Sequence, residues 1–252
     1  MLNLRKFCNI KNLIEYNSMK FMIALSFDTD WAPQELIDDT INLLSDYNLK
    51  STFFVTNKID FSKIKNHEIA IHPNFQGTSN QEDILKETIN FLPEKQTFGS
   101  RSHRLFFNSP LISLYEKFRI QYDSNFYMPG VDNIKPFIFN FADVVEIPFY
   151  FSDDDYIVNS KNFELNNLDL NNNGVKVFLF HPFHIFMNTK SSDFYHELKP
   201  HYKDYSFLKN RINQKAGIRN LFIDLLEYIE NHDLSLSTLN EINIQTRESI
   251  NV

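Results

Sequence analysis

The sequence predicts an α/β protein built as a single distorted parallel (β/α) barrel, TIM-like, with about seven strands. Three observations carry that expectation. Apolar runs without alternation, at residues 22–25 and at Val175–Phe180, suit strands covered on both faces. Stripes of helical period follow such runs along the chain without a break. Five strand-like segments each stop at an acid, an arginine or a histidine, and chemistry in such sheets gathers at the C-terminal rim of the strands.

The first strand lies in MKFMIALSFDTDW, where the apolar run meets Asp28 and Asp30. Residues i and i+2 of a strand point the same way, so both carboxylates are expected to face one site. Pro33 and Glu35 then open a helix over residues 34–47, with Ile37, Ile41 and Leu44 as its buried stripe. Asn48 is a left-handed stop before a second strand at 51–55, which completes a right-handed βαβ unit. A short strand, Glu68–Ile71, ends at His72, while His67 receives no role.

A helix over 81–92 ends at Pro93, and a polar cluster containing Arg101 and His103 follows a brief strand signal. Ser109-Pro110 is expected to cap the next helix, and a strand at 120–122 ends on Asp123-Ser124-Asn125. Residues 143–151 read as one strand running into Ser152-Asp153-Asp154-Asp155. Val175–Phe180 delivers His181-Pro182 at its end. Residues 188–215 lack periodicity and suggest a lid or a loop lining the cleft, Ile218–Asn231 is an amphipathic helix, and 234–239 reads as a last short strand.

A chain of 252 residues can bury one sizeable α/β core, and 42% hydrophobic with 23% charged residues marks no internal boundary. Residues 1–18 read as an N-terminal extension and 19–252 as one catalytic barrel domain. The net charge of −7, with no Lys/Arg block, argues against a nucleic-acid partner. Cys8 is the only cysteine, so no internal disulfide is expected. With neither a signal-peptide core nor a membrane-length apolar run of roughly 18 residues, a soluble cytoplasmic protein is the expectation.

The order of these motifs resembles the polysaccharide deacetylase family, the NodB-homology carbohydrate esterases, from about residue 20 to 244. Ser26-Phe27-Asp28-Thr29-Asp30 is similar to the family's first motif, which implies Asp28 as general base and Asp30 as metal ligand. The run from His67 to His72 resembles the second motif, making His72 a ligand. Arg101 matches the arginine that orients the base, Asp153 or Asp154 stands where the acid's carboxylate partner is found, and Phe180-His181-Pro182 resembles the motif whose histidine is the general acid. His72-Pro73-Asn74-Phe75 together with Arg101-Ser102-His103 is similar to a subgroup associated with lipopolysaccharide or surface-polysaccharide biosynthesis.

The resemblance implies removal of an N-acetyl group from an amino sugar or glycan precursor, with a divalent metal, zinc or another transition metal. One departure stands out: the second motif usually carries a further histidine four residues on, and Gln76 occupies that position. An amide oxygen is a poorer zinc ligand than imidazole. His103, two residues past Arg101, is therefore expected as the third ligand, against Gln76, Asn74 or a water. A catalytically impaired sugar-binding module and a hydrolase of small amides or imides on the same fold are the alternatives.

Overall fold

Both faces of the first strand are covered, which explains its unbroken apolar run. In β1 (Met22–Asp28), Ile23, Leu25 and Phe27 enter a large core beneath the helices, whereas Met22 and Ala24 enter a second cluster on the opposite face. Ser26 and Asp28 continue that inner face toward the rim. The computed structural model describes residues 21–77, 80–159, 161–170 and 173–251. The expected extension over residues 1–18 lies outside them.

The chain continues through α1 (Gln34–Asp46), β2 (Thr52–Val55), β3 (Glu68–Ile71), α2 (Gln81–Asn90), β4 (Gly99–Ser100) and α3 (Ser109–Lys117). Asn48 is left-handed, with φ 51°, as expected of the stop between α1 and β2. Asn108 rather than Ser109 caps α3, its Oδ1 accepting the Leu111 N–H at 2.8 Å. Then come β5 (Tyr122–Asp123), β6 (Phe137–Ile138), β7 (Val145–Glu146), β8 (Phe151–Ser152), α4 (Asp153–Val158), β9 (Val175–Phe180) and α5 (Pro182–Met187). Residues 188–215 are not one loop, for they contain α6 (Ser192–Leu198) and α7 (Tyr205–Leu208). Finally, α8 (Ile218–Asn231) covers the sheet and α9 (Leu239–Asn251) ends the described chain.

Among the described residues the sheet has nine strands rather than about seven, in the order β6-β7-β5-β4-β3-β2-β1-β9-β8, parallel except for the β6–β7 pair. Part of the excess arises because residues 143–151 are not one strand. Pro148 has no N–H to donate, and the segment divides there. Ile147 donates to the Asp123 carbonyl at 2.8 Å, in β5, whereas Tyr150 donates to the Val177 carbonyl at 2.9 Å, in β9. One short stretch therefore links the two sides of the sheet and draws it into a barrel-like curl.

The expected strand at 234–239 reduces to a single bridge between Ile23 and Leu236. A capping box supersedes it: Thr238 N–H donates to Glu241 Oε2 at 2.9 Å and Glu241 N–H donates to Thr238 Oγ1 at 3.3 Å. Leu239 and Ile242 of α9 then pack on Met22, Ala24, Phe54 and Ala70. Asn240 N–H bonds to Glu68 Oε2 at 2.9 Å, at the beginning of β3, so α9 closes the end of the barrel opposite the strand rim. Residues of the many phenylalanines fill the outer layer, with ring centroids 4.9 Å apart for Phe27–Phe53 and for Phe180–Phe222.

Candidate active site

β1 ends at Asp28, and Asp30 lies beyond it with φ 44°, followed by Trp31 with φ 59°. A tight left-handed turn, not strand alternation, thus brings the second carboxylate to the site. Such conformations cost non-glycine residues about 1 kcal/mol or more and persist only where neighbours impose them. Thr56 does so here. Its Oγ1 lies 3.2 Å from Thr29 Oγ1 and accepts the Trp31 N–H at 2.8 Å, while Ala32 N–H closes on the Thr29 carbonyl at 2.7 Å.

Behind Asp28, the Arg101 guanidinium is fully buried. Nη1 donates to Asp28 Oδ1 and to Ser26 Oγ, each at 3.0 Å, Nε donates to the Ser124 carbonyl and Nη2 to Ser124 Oγ, each at 2.8 Å. The Phe54 and Phe149 rings stand 4.3 and 5.1 Å from its carbon centre. A buried charge is tolerable only when paired and hydrogen-bonded in this way. Lysine, lacking the planar fork, cannot reproduce the set.

On the solvent side of Asp28, three donor groups converge. His72 Nε2 and His103 Nδ1 lie 3.1 and 3.2 Å from Asp30 Oδ1 and 3.3 Å from each other. Parallel pairing of β3 carries His72 to the rim, where its N–H donates to the Val55 carbonyl, and His103 N–H donates to the Pro73 carbonyl. Two imidazole nitrogens and one carboxylate oxygen within 4.8 Å of one another form a donor set suited to a divalent transition metal. His72 makes its polar contacts through Nε2, and its buried Nδ1 has no partner among the described residues.

Gln76 and Asn74 point elsewhere. Gln76 Oε1 accepts from Arg104 Nη1 at 3.0 Å, and Asn74 Oδ1 accepts the Gln76 N–H at 3.0 Å. Burial alone would raise the Asp30 carboxyl, but hydrogen bonds from His103 and His72 and the charge of His181 hold it well below the usual carboxylate range.

The opposite wall comes from the ends of β8 and β9. His181 Nδ1 lies 2.8 Å from Asp153 Oδ1, and its Nε2 faces Asp30 Oδ2 at 3.7 Å. Burial would lower this imidazole, yet the charges of Asp153 and Asp154, the Asp153 hydrogen bond and the charge of Asp30 raise it well above its ordinary value. Of the two acids expected as its partner, Asp153 makes the close contact. Asp154 instead meets His184 Nε2 at 3.1 Å, a histidine the sequence reading passed over although it follows His181 by one helical turn.

These groups line a cleft of about 410 Å³, which Tyr127, Phe149 and Leu179 make partly apolar. A second cleft of about 530 Å³ adjoins it, bordered by Trp31, Arg104, Tyr195, Lys199, Tyr202 and Lys203. Tyr195, Lys199 and Tyr202 come from the segment expected to be a lid or loop. Asp123, expected only as a strand end, and Glu146, which the sequence reading missed, are register partners on β5 and β7 and are wholly buried behind Arg101. Glu146 Oε1 accepts the Asn125 and Phe126 N–H groups, and burial pushes its carboxyl up to about 7.

A family model described as WbmS-like polysaccharide deacetylase matches residues 25–199. Among solved structures, the chain is similar to WbmS of Bordetella bronchiseptica, a candidate polysaccharide deacetylase involved in O-antigen biosynthesis. The two share 26% identity over 88% of this chain and 97% of that one, with a TM-score of 0.77. A candidate polysaccharide deacetylase from Mycobacterium smegmatis has the same fold at a TM-score of 0.54, with 15% identity over 91% of either chain. No curated protein sequence matches.

Proposed function

The chain belongs to the WbmS-like polysaccharide deacetylases, and from that premise we propose that it is a metal-dependent hydrolase removing an N-acetyl group from an amino sugar of a surface polysaccharide or its precursor. One observation carries this reading. The Asp28–Arg101 pair and the Asp153–His181 pair flank the Asp30–His72–His103 donor set on two sides of one cleft. A sugar-binding module has no use for an oriented base opposite an oriented acid. The neighbour's involvement in O-antigen biosynthesis supports a bacterial surface glycan as the source of the sugar.

Asp30, His72 and His103 would hold the ion, zinc or a transition-metal neighbour. When bound, it supplies Lewis acidity, lowering the pKa of a water to roughly 7 and polarising the acyl oxygen. Asp28 takes the proton from the attacking water, with Arg101 fixing the carboxylate by a 3.0 Å hydrogen bond so that the other oxygen, Oδ2, is left to face the cleft. His181, its Nδ1 engaged by Asp153, presents Nε2 and gives a proton to the departing amine. Apolar walls at Phe149 and Leu179 exclude water from part of the cleft and strengthen these electrostatic contacts.

Among the described residues no helix is long and apolar enough to cross a membrane. The reading is tested by measuring amine and acetate release from N-acetylated amino-sugar oligosaccharides with zinc-loaded and metal-stripped protein. Release by the loaded protein alone supports it. Bound metal without release from any sugar points to a small-amide hydrolase, and failure to bind metal points to a binding module.

A further inference from the structure

His184 has no part in the chemistry above, yet it is a buried imidazole, 3% exposed, whose second nitrogen is aimed at the cleft wall. Its Nδ1 lies 3.0 Å from Thr189 Oγ1 and its Nε2 3.1 Å from Asp154 Oδ1. His181 is held in the same manner, Nδ1 against Asp153 and Nε2 free. Histidines that bind metals characteristically have the far nitrogen anchored by a carboxylate or hydroxyl, which leaves the near one as ligand. The local fold produces the pairing: His181 sits just before α5 and His184 in its first turn, so positions three apart share a side. α4 opposes them with Asp153 and Asp154 in its own first turn.

The spacing is informative. His181 Nε2 stands 4.0 Å from Asp154 Oδ2 and 3.7 Å from Asp30 Oδ2, too far for hydrogen bonds. Ligand bonds of about 2.1 Å to one zinc ion put donor atoms roughly 3–4 Å from each other. Donor atoms of Asp154, His181 and His184 all lie within 4.8 Å of one another. Asp30 turns Oδ1 to His72 and His103 and Oδ2 to His181, so it stands between two sets of donors.

We propose that Asp154, His181 and His184 form a second divalent-cation site, and that an ion bound there takes His181 Nε2 away from the leaving amine, so that metal beyond the first equivalent inhibits the enzyme. The inhibition, though not the binding, rests on His181 being the proton donor. The step balances without any oxidant: the ion takes the Nε2 lone pair, the N–H bond there breaks, and the proton leaves to solvent.

The test strips the protein of metal, titrates it with zinc alone, counts bound ions by equilibrium dialysis, and follows amine release at each loading. Wild-type protein is expected to bind two ions per chain, with release rising to the first equivalent and then falling by about two orders of magnitude, the range of a lost general acid. His184→Gln and, because that buried variant can fail to fold, the cleft-wall variant Asp154→Asn should each bind one ion. Measured against its own maximum, each should show no fall. One ion in wild-type protein, or two retained by the folded variants, overturns the site. Two ions with undiminished release overturns the inhibition. Two ions with no release at any loading leaves the site standing and removes the deacetylase reading instead.

Discussion

The Asp153 carboxylate grips His181 at two points: Oδ1 lies 2.8 Å from the ring Nδ1, and Oδ2 accepts the His181 backbone N–H at 2.6 Å. The ring is thereby fixed in orientation with Nε2 toward the cleft, and the adjacent negative charge favours the imidazolium. With His181 as the proposed proton donor, the acid form is lost above its pKa, and its deprotonation is expected to set the basic limb of the rate profile. Asp153→Asn removes a charge that raises this pKa, and the limb should move to lower pH while kcat falls about a hundredfold or more. Rate against pH for both proteins decides the matter, since an unmoved limb means that another group donates.

Asp28 accepts one hydrogen bond from Arg101 Nη1 and lies beside the donor set rather than within it, its Oδ2 standing 3.7 Å from His72 Nε2. Asp28→Asn should keep bound metal and lose about two to four orders of magnitude in turnover, the usual contribution of a general base. Metal analysis alongside kinetics checks this. Loss of metal with the fold intact would exchange the roles of Asp28 and Asp30.

Arg101→Lys keeps the charge and loses the fork. Several buried hydrogen bonds to Ser124, Ser26 and Asp28 cannot be remade by one ammonium, so unfolding in urea should show a loss of about 2–4 kcal/mol, at roughly 1 kcal/mol for each bond. Turnover should fall more than KM rises, because the base loses its orientation and the cleft keeps its shape. Equal changes in the two would make Arg101 a purely structural residue.

Glu146 gives a pH signature in the core behind Arg101. Burial raises the carboxyls of Glu146 and its neighbour Asp123 above the usual carboxylate range, so the pair binds protons more tightly folded than unfolded, and its contribution to stability falls as pH rises above the ordinary carboxylate pKa. Glu146→Gln should flatten the stability profile above that pKa, as read from denaturant midpoints at several pH values. A profile of unaltered slope would mean that Glu146 does not titrate there.

Part of the candidate site was legible because Asp28 and His181 end strands whose apolar signal is strong. β1 and β9 deliver Asp28 and His181, and β3 delivers His72. The expectation that Asp28 and Asp30 share a side had the right outcome by the wrong route, since strand periodicity cannot reveal the left-handed turn at Asp30 and Trp31. Pro148 was the available signal that 143–151 could not be one strand, and Thr238 with Glu241 was the capping box that makes the C-terminal segment a helix. Glu146 was hidden because a carboxylate buried on a two-residue strand leaves no periodic trace. His184 was legible in principle, as the second histidine of a His-x-x-His spacing.

The centre formed by Asp30, His72 and His103 is tested most directly by soaking crystals in a zinc solution limited to one equivalent and locating the ion by its anomalous scattering. The strongest peak is expected within bonding distance, about 2.0–2.2 Å, of Asp30 Oδ1, His72 Nε2 and His103 Nδ1. A peak held by Gln76 or Asn74 with His103 turned away would contradict that ligand set.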